Sequence, residues 1–298
     1  MTANDSPLVT VGLPTFKRPQ FLERSLRSLI QQQDVRLEII VADNNPEDLE
    51  NEMIVSAVSN DVHQLRYVRH TANLGAAANF RYCLSVAQGK YFMWLADDDE
   101  LGGDQHIATL LDVLEKEPDV VTAAAPWRLM ESPETGHIQT HRDYASDRWL
   151  CRALKFAWRS DDDFIYSLHR TDVLRRAQWT TYWRPNRGNL ANAAYPFLMD
   201  MILSGKIVRV EGSNIAWINH AYTDKLYSTG GGKRSVDLRF VLRRLNVHAL
   251  YAEKVYRKGG ALALIAVLTV SAMSLVNEAL RIVGTYTKAK FVRKSIKH

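Results

Sequence analysis

Four consecutive acids, Asp97-Asp98-Asp99-Glu100, follow the aromatic and largely apolar run Tyr91–Ala96. Such a run reads as a buried strand. Carboxylates clustered at its end are costly to keep ionised unless a cation or a dense set of donors stands beside them. Mg2+ or Mn2+ meets that need, because both take oxygen ligands and Mg2+ commonly binds one or two carboxylates together with substrate phosphates. In an open α/β sheet, ligands lie beyond the carboxyl ends of the strands, which is where these acids fall. The competing reading is a solvated acidic turn, with Asp99 or Asp104 as N-cap of the next helix.

The upstream sequence decides between them by supplying the elements that would position a site. Residues 8–13 form a short β-rich run broken by Pro14-Thr15-Phe16-Lys17-Arg18-Pro19. Phe21, Leu22, Ser25, Leu26, Leu29 and Ile30 then repeat at helical spacing. Residues 37–42 are a second apolar run ending in Asp43-Asn44-Asn45-Pro46, a turn signal. A helix over 47–59, a strand over 65–69, an Ala-rich helix over 76–88 and the acidic strand follow, giving the cadence of a parallel, right-handed βαβ sheet. Laid side by side, these strands bring Asp43, Asn73, Asp97–Asp99 and the Pro14–Arg18 turn to one edge. That inventory suits a nucleotide diphosphate: a carboxylate for a base or ribose edge, basic residues for phosphates, and acids for a metal. Asp43 and Asn73 could equally serve as turn residues, and Lys17 reads as solvated. No Gly-x-Gly-x-x-Gly or Gly-x-x-x-x-Gly-Lys-Ser/Thr follows the first strand, so dinucleotide-binding and Walker-type readings lose their main support.

The 298 residues, 46% of them apolar, can bury one large α/β domain, with or without an appendage. Two cysteines, Cys83 and Cys151, do not make a disulfide framework, and the first residues show no secretory pattern, so a reducing, cytoplasmic setting is expected. The net charge of +5 is unevenly placed. No acid follows Glu278, whereas Arg281, Lys288, Lys290, Arg293, Lys294 and Lys297 do, a run suited to an anionic surface.

Four blocks, Val9–Arg18, Ile39–Asn44, Ala72–Gly75 and Trp94–Asp99, match in order and spacing those of family 2 glycosyltransferases with the GT-A fold. The resemblance covers about residues 8–125 and thins out beyond. It implies an α/β fold with a mostly parallel sheet flanked by helices. It also implies inverting transfer of a sugar from a nucleotide-diphosphate donor, with Mn2+ or Mg2+ as cofactor. Carried over by position, Pro14, Thr15 and Arg18 line the nucleotide site, Asp43 holds the base, and Asn73 sits near the diphosphate. Asp99 is the direct metal ligand, and Asp97 or Asp98 meets the ribose, with Asp97 the alternative ligand.

The second half is expected to bind the acceptor. Five of seven tryptophans (Trp127, Trp149, Trp158, Trp179, Trp183) fall in it close together, either as faces for sugar rings or as packing in an irregular core. An inverting transfer needs a base. Many relatives carry Glu-Asp at the start of a later helix, but Ala193-Ala194-Tyr195-Pro196 stands here. Asp161, Asp162 and Asp163, ahead of a strand read over 164–169, are the substitutes, with Asp200 a further candidate. Strands read over 206–210 and 213–218 lead to His220, a candidate third metal ligand or a structural histidine. Thr229–Arg234, with three glycines, reads as a closing loop or a plain link.

A basic helix over 236–257 precedes 19 uncharged residues, 259–277. Basic residues on both sides of this stretch argue against a single membrane crossing and for a helix lying on the cytoplasmic leaflet or against a second subunit in a homo-oligomer. The expected organisation is a GT-A domain over 1–234 (nucleotide half 8–125, acceptor half 126–234) and a C-terminal helical appendage over 235–298. The expected enzyme is peripheral at the inner membrane face, where it adds sugar to a glycan or lipid-linked acceptor. A nucleotide-sugar-binding protein without catalysis is the rival reading, ahead of a nucleotidyltransferase. Nucleic acid is not an expected partner, because the basic tail lacks interleaved aromatics.

Overall fold

The computed structural model describes residues 9–47, 49–58, 63–130, 136–139, 142–160, 162–179, 190–210, 216–219 and 238–295. The first strands are apolar along their whole length because both faces are covered. β1 (Val9–Thr15) and β2 (Leu37–Asp43) are buried at every position. β2 alternates in the way a pleated strand requires. Ile39 and Val41 face one apolar cluster, while Ile40 and Ala42 face the other. β3 (Gln64–Arg69) is only half-buried, as an edge strand should be.

The central sheet has seven strands in the order β10-β6-β9-β4-β1-β2-β3. β1 to β4 (Tyr91–Trp94) are mutually parallel, as are β6 (Val120–Ala124) and β10 (Lys206–Arg209), while β9 (Leu168–Arg170) runs antiparallel between β4 and β6. The register sets Thr15 against Asp43 and Asp43 against Arg69, so the first three strands end level. A second sheet, β5-β11-β7-β8, stands on the acids. β5 (Asp99–Leu101) pairs with β11 (Ala216–Asn219), which lies beside β7 (Trp127–Met130) and then β8 (Gly136–Gln139).

Helices cover both faces. On one side are α1 (Pro19–Ile30), α2 (Glu50–Val58) and α4 (His106–Lys116). α1 begins with Pro19, whose fixed φ suits a first helical turn, and buries Leu22, Leu26 and Leu29 as one stripe. On the other side are α3 (Ala76–Val86), α5 (Trp149–Trp158), α6 (Thr171–Arg176), α7 (Leu190–Ser204) and α8 (Leu238–Ser295). The expected strand over 164–169 is instead a 3-10 turn (Asp163–Tyr166) followed by the short β9. Its apolar residues fill the core through Phe164 and Ile165 without extending.

α8 is two arms, not one rod. The chain breaks at Gly260, where φ is 69° and ψ −160°, a conformation that favours glycine. The arms fold back on each other, since Arg244 pairs with Glu278 at 2.9 Å and His248 Nδ1 meets Ser271 Oγ at 2.9 Å. The first arm is part of the core. Val247, Tyr251 and Val255 are fully buried with Phe156 and Phe197, while the expected 234/235 boundary lies outside the described residues.

Gly12 lets α3 approach β1. A Cβ there would come within 2.6 Å of Cys83 Cβ and 2.9 Å of Phe92 Cζ. Gly12→Ala is therefore expected to lose about 1–3 kcal/mol of stability in urea unfolding, and Gly12→Val more. A midpoint unchanged in both variants is incompatible with this packing.

Candidate active site

The residues ending β1, β2 and β4 form a polar row along one sheet edge. Asp97 and Asp99 are each only 6% exposed, so their carboxylates are held largely out of water. Asp97 is gripped from β1 and the turn after it. Thr15 Oγ1 donates to Oδ2 at 2.8 Å, and the Phe16 N–H reaches the same oxygen at 3.4 Å. Arg18 Nη1 donates to Asp97 Oδ1 at 3.1 Å and to Asp98 Oδ2 at 2.9 Å, so one guanidinium nitrogen bridges two acids. Burial nevertheless pushes the Asp97 carboxyl up to about 6, with the Arg18 charge opposing and the Asp98 charge adding. Asp99 lies well above the usual carboxylate range, chiefly through burial and then through the charges of Asp98 and Asp97. Its carboxylate accepts no hydrogen bond among the described residues.

The turn carrying these acids is fixed from α1. Ser25, on the buried leucine stripe, donates through Oγ to the Asp99 carbonyl and lies 3.0 Å from that of Asp97. Arg24 pairs with Glu100. Asp99 also belongs to β5, opposite Ile218, so β11 carries the chain along the acids before ending at Asn219. His220 itself lies outside the described residues, as do Asp161 and the Thr229–Arg234 loop.

Asp43 is fully buried. Its Oδ1 accepts the Asn45 N–H at 2.8 Å, and its Oδ2 accepts Asn51 Nδ2 and the Tyr67 hydroxyl, each at 2.9 Å. Those bonds order the turn after β2 and leave no oxygen turned outward. Burial, followed by the Asp43 contact, raises the Tyr67 phenol above its ordinary range. Beside this turn, an open cleft is bounded by Lys17, Pro19, Asn45, Glu47 and Glu50. Asn73 is exposed, and its Oδ1 accepts the Gly75 N–H at 2.8 Å, which makes it a turn-former here. Asn44, unremarked in the sequence beyond its turn, ties three turns together. Its N–H donates to the Thr15 carbonyl at 2.9 Å, and its Oδ1 accepts the Leu74 N–H at 3.0 Å.

The antiparallel β9 enters the sheet at the edge where β4 leaves it. Asp162, half-buried, precedes the 3-10 turn there, and the turn begins at Asp163. Asp200 is engaged elsewhere. Its Oδ2 takes Lys254 Nζ at 2.7 Å and the Gln178 N–H at 2.8 Å, joining α7 to the first arm of α8. Of the tryptophans, Trp179 is half-buried against the core, stacked on Phe197 at 4.2 Å and edge-on to Trp94 at 5.9 Å. Trp149 packs against Gly259, Trp158 is 42% exposed, and Trp183 lies outside the described residues.

Comparison with solved structures shows the same architecture at low identity. TarS 1-349 from S. aureus has a TM-score of 0.59 at 13% identity, covering 92% of this chain and 91% of that one. The mannosyltransferase PcManGT from Pyrobaculum calidifontis, solved with GDP-Man and Mn2+, has a TM-score of 0.54 at 16% identity, covering 96% and 81%. The fold is therefore that of the GT-A glycosyltransferases. The chain is 33% identical over 115 residues to abequosyltransferase RfbV of Salmonella typhimurium, covering 38% of this chain and 34% of that protein. It is 36% identical over 97 residues to the Campylobacter jejuni GalNAc(5)-diNAcBac-PP-undecaprenol beta-1,3-glucosyltransferase, covering 32% and 31%. The matches thus span about a third of these curated relatives. The sequence profile of glycosyl transferase family 2 matches residues 10–200, so the chain belongs to that family.

Proposed function

We propose that the chain is a metal-dependent, inverting glycosyltransferase that moves a sugar from a nucleotide-diphosphate donor to a glycan acceptor in surface-polysaccharide synthesis. The observation that carries this reading is the Asp99 carboxylate, enclosed and without a hydrogen-bond donor beside acids that Arg18 already bridges. A carboxylate so placed fits a hard divalent cation. With Asp97 occupied by Thr15 and Arg18, the cation would complete its shell from substrate phosphates. When bound, Mn2+ or Mg2+ supplies positive charge to the leaving diphosphate.

The chain's own residues do the rest. Pro14, Thr15 and Arg18 present the nucleotide side of the site, and Arg18 is within reach of a phosphate as well as of its acids. The base occupies the cleft by Lys17, Asn45 and Glu47, with Asp43 holding that turn in shape from behind rather than touching the base. Asp97 and Asp98 face the ribose, and Asn73 shapes the turn near the diphosphate. His220, immediately after β11, is the candidate further ligand. The acceptor hydroxyl attacks the anomeric carbon from the side opposite the diphosphate and gives its proton to a carboxylate of the Asp161–Asp163 segment. The acceptor is lipid-linked, a reading supported by the PP-undecaprenol in the name of the Campylobacter relative. The enzyme works at the cytoplasmic membrane face with its basic tail on anionic lipid. A second reading, a nucleotide-sugar-binding protein without turnover, draws on the uncharged start of α7.

Two tests follow, the first of which separates these readings. With a panel of nucleotide sugars and Mn2+, the protein is expected to release nucleoside diphosphate in a chelator-sensitive manner, and Asp99→Ala to slow release about a thousandfold. Tight donor binding with no release across the panel favours the binding protein instead, and full activity in Asp99→Ala removes the cation role. The second test is stability against pH. Because the folded carboxyls of Asp97 and Asp99 lie above the ordinary value of 3.8, their protonated forms favour the native state, and that contribution is lost as pH rises through about 6 and beyond. Asp99→Asn is accordingly expected to be more stable than wild type at pH 8 without cation or donor, with the gap narrowing as pH falls. Denaturant unfolding across that pH range measures it.

A further inference from the structure

The second arm of α8 presents a face that nothing among the described residues covers. Leu262 is 83% exposed, Ile265 60%, Met273 55%, Val276 60% and Leu280 66%. Their spacing sets them on one side of a helix. The other side is committed to the protein: Ala263 and Val267 are buried in the core cluster. Ser274 Oγ donates to the Trp158 carbonyl at 2.6 Å, Ser271 Oγ meets His248, and Glu278 pairs with Arg244.

We propose that this outer face lies in the plane of an anionic bilayer, with its apolar side chains in the headgroup–acyl boundary and the following basic run on lipid phosphates. The inference builds on the membrane setting of the proposed function but needs none of its chemistry. Three observations select this occupant. The uncharged stretch 259–277 is about 28 Å long as a helix, far more apolar surface than a scattered exposed leucine leaves. Six basic residues and no acid follow Glu278 in the sequence, and anionic lipid answers both the stripe and that charge. A second copy of this chain would cover the stripe, but its matching segment after Glu278 carries the same basic charge and no acid. A crossing is disfavoured by the hairpin. Although Arg244–Leu280 is long and apolar enough to span by composition, the chain reverses at Gly260. Inserting the second arm would tear Ser271, Ser274 and Glu278 from their partners and turn them to lipid.

The test uses the full chain without nucleotide sugar or metal, so it stands whether or not transfer is ever observed. Co-sedimentation is measured with vesicles of phosphatidylcholine alone and of phosphatidylcholine with phosphatidylglycerol. Wild type is expected to bind the anionic vesicles and to weaken as salt rises. The triple variant Leu262→Ser, Ile265→Ser, Val276→Ser, changed only at exposed positions, is expected to bind about 100-fold more weakly with its melting temperature unchanged. Absence of binding by wild type overturns the proposal, and so does equal binding by both proteins. A dimer that the triple variant converts to monomer, with vesicle binding intact, assigns the face to a second copy instead. Nitroxide labels placed singly at positions 262, 273 and 280 in a Cys151→Ser background should report one common depth. A gradient of depth across the three would mean a span and would reject the in-plane arrangement.

Discussion

The structure turns on keeping carboxylates out of water at the end of β4. Asp97 and Asp99 are nearly enclosed, and burial alone would drive them to take up protons. Among the described residues, Arg18 is the cation that offsets this, and its Nη1 is shared between Asp97 and Asp98. Asp99 is left outside that arrangement. Everything around it is placed to hold the turn despite the electrostatic cost. β1 pairs with β4 in register, Thr15 and the Phe16 amide reach Asp97, and Ser25 ties the carbonyls behind the acids to α1. A local electrostatic conflict held in place by so many contacts is what the proposed donor and cation site requires.

The sheet's two faces carry different duties. The face covered by α1, α2 and α4 is an ordinary aliphatic core of Val9, Val11, Leu13, Ile39 and Val41, and it gives the strand ends a rigid backing. The other face is aromatic: Trp94 meets Phe92, Trp179, Phe197 and His169 through ring contacts, and Trp94 Nε1 donates to the Phe80 carbonyl. Onto this layer pack α5, α7 and the first arm of α8, with the Lys254–Asp200 pair joining the last two. The C-terminal region is therefore not merely hung on a finished domain. Its first arm contributes Val247, Tyr251 and Val255 to the second core, while the second arm keeps an exposed apolar face.

How much of this could be read from the chain follows from where local sequence and tertiary setting agree. β1, β2 and the acidic strand were legible because central parallel strands are apolar throughout and end abruptly in polar turns. The meeting of their ends followed from the βαβ cadence. β5 was not legible, because three residues carrying two acids have no strand signature and pair only because β11 arrives beside them. The run 164–169 has strand composition, yet its first residues curl into a 3-10 turn to fill a core, which composition cannot distinguish from a strand. Asp43 was legible as a residue of the edge but not in its orientation. Tyr67 and Asn51, which enclose it, are 24 and 8 residues away in sequence. Whether Trp179 was a platform for sugar or packing was open in the sequence, because its stacking partner, Phe197, belongs to a separate helix.

One signal was present in the sequence and easily undervalued, namely a small polar residue on an apolar helical stripe. Ser25 sits among Leu22, Leu26 and Leu29, and its hydroxyl proves to hold the acidic turn. Ser271 and Ser274 do the same in the second arm of α8, binding His248 and the Trp158 carbonyl. By average hydropathy these serines only dilute the stretch and leave its character ambiguous between span, core and surface. Sorted by face they are decisive, because the hydroxyls lie on the side that is buried in protein, and the opposite side keeps leucine, isoleucine, methionine and valine. A helix crossing lipid alone would have no use for polar groups segregated in that way, and a helix wholly inside a core would not leave its most apolar residues in water. Segregation of both kinds on one arm fits the proposed arrangement, in which protein holds one side of the helix and lipid the other.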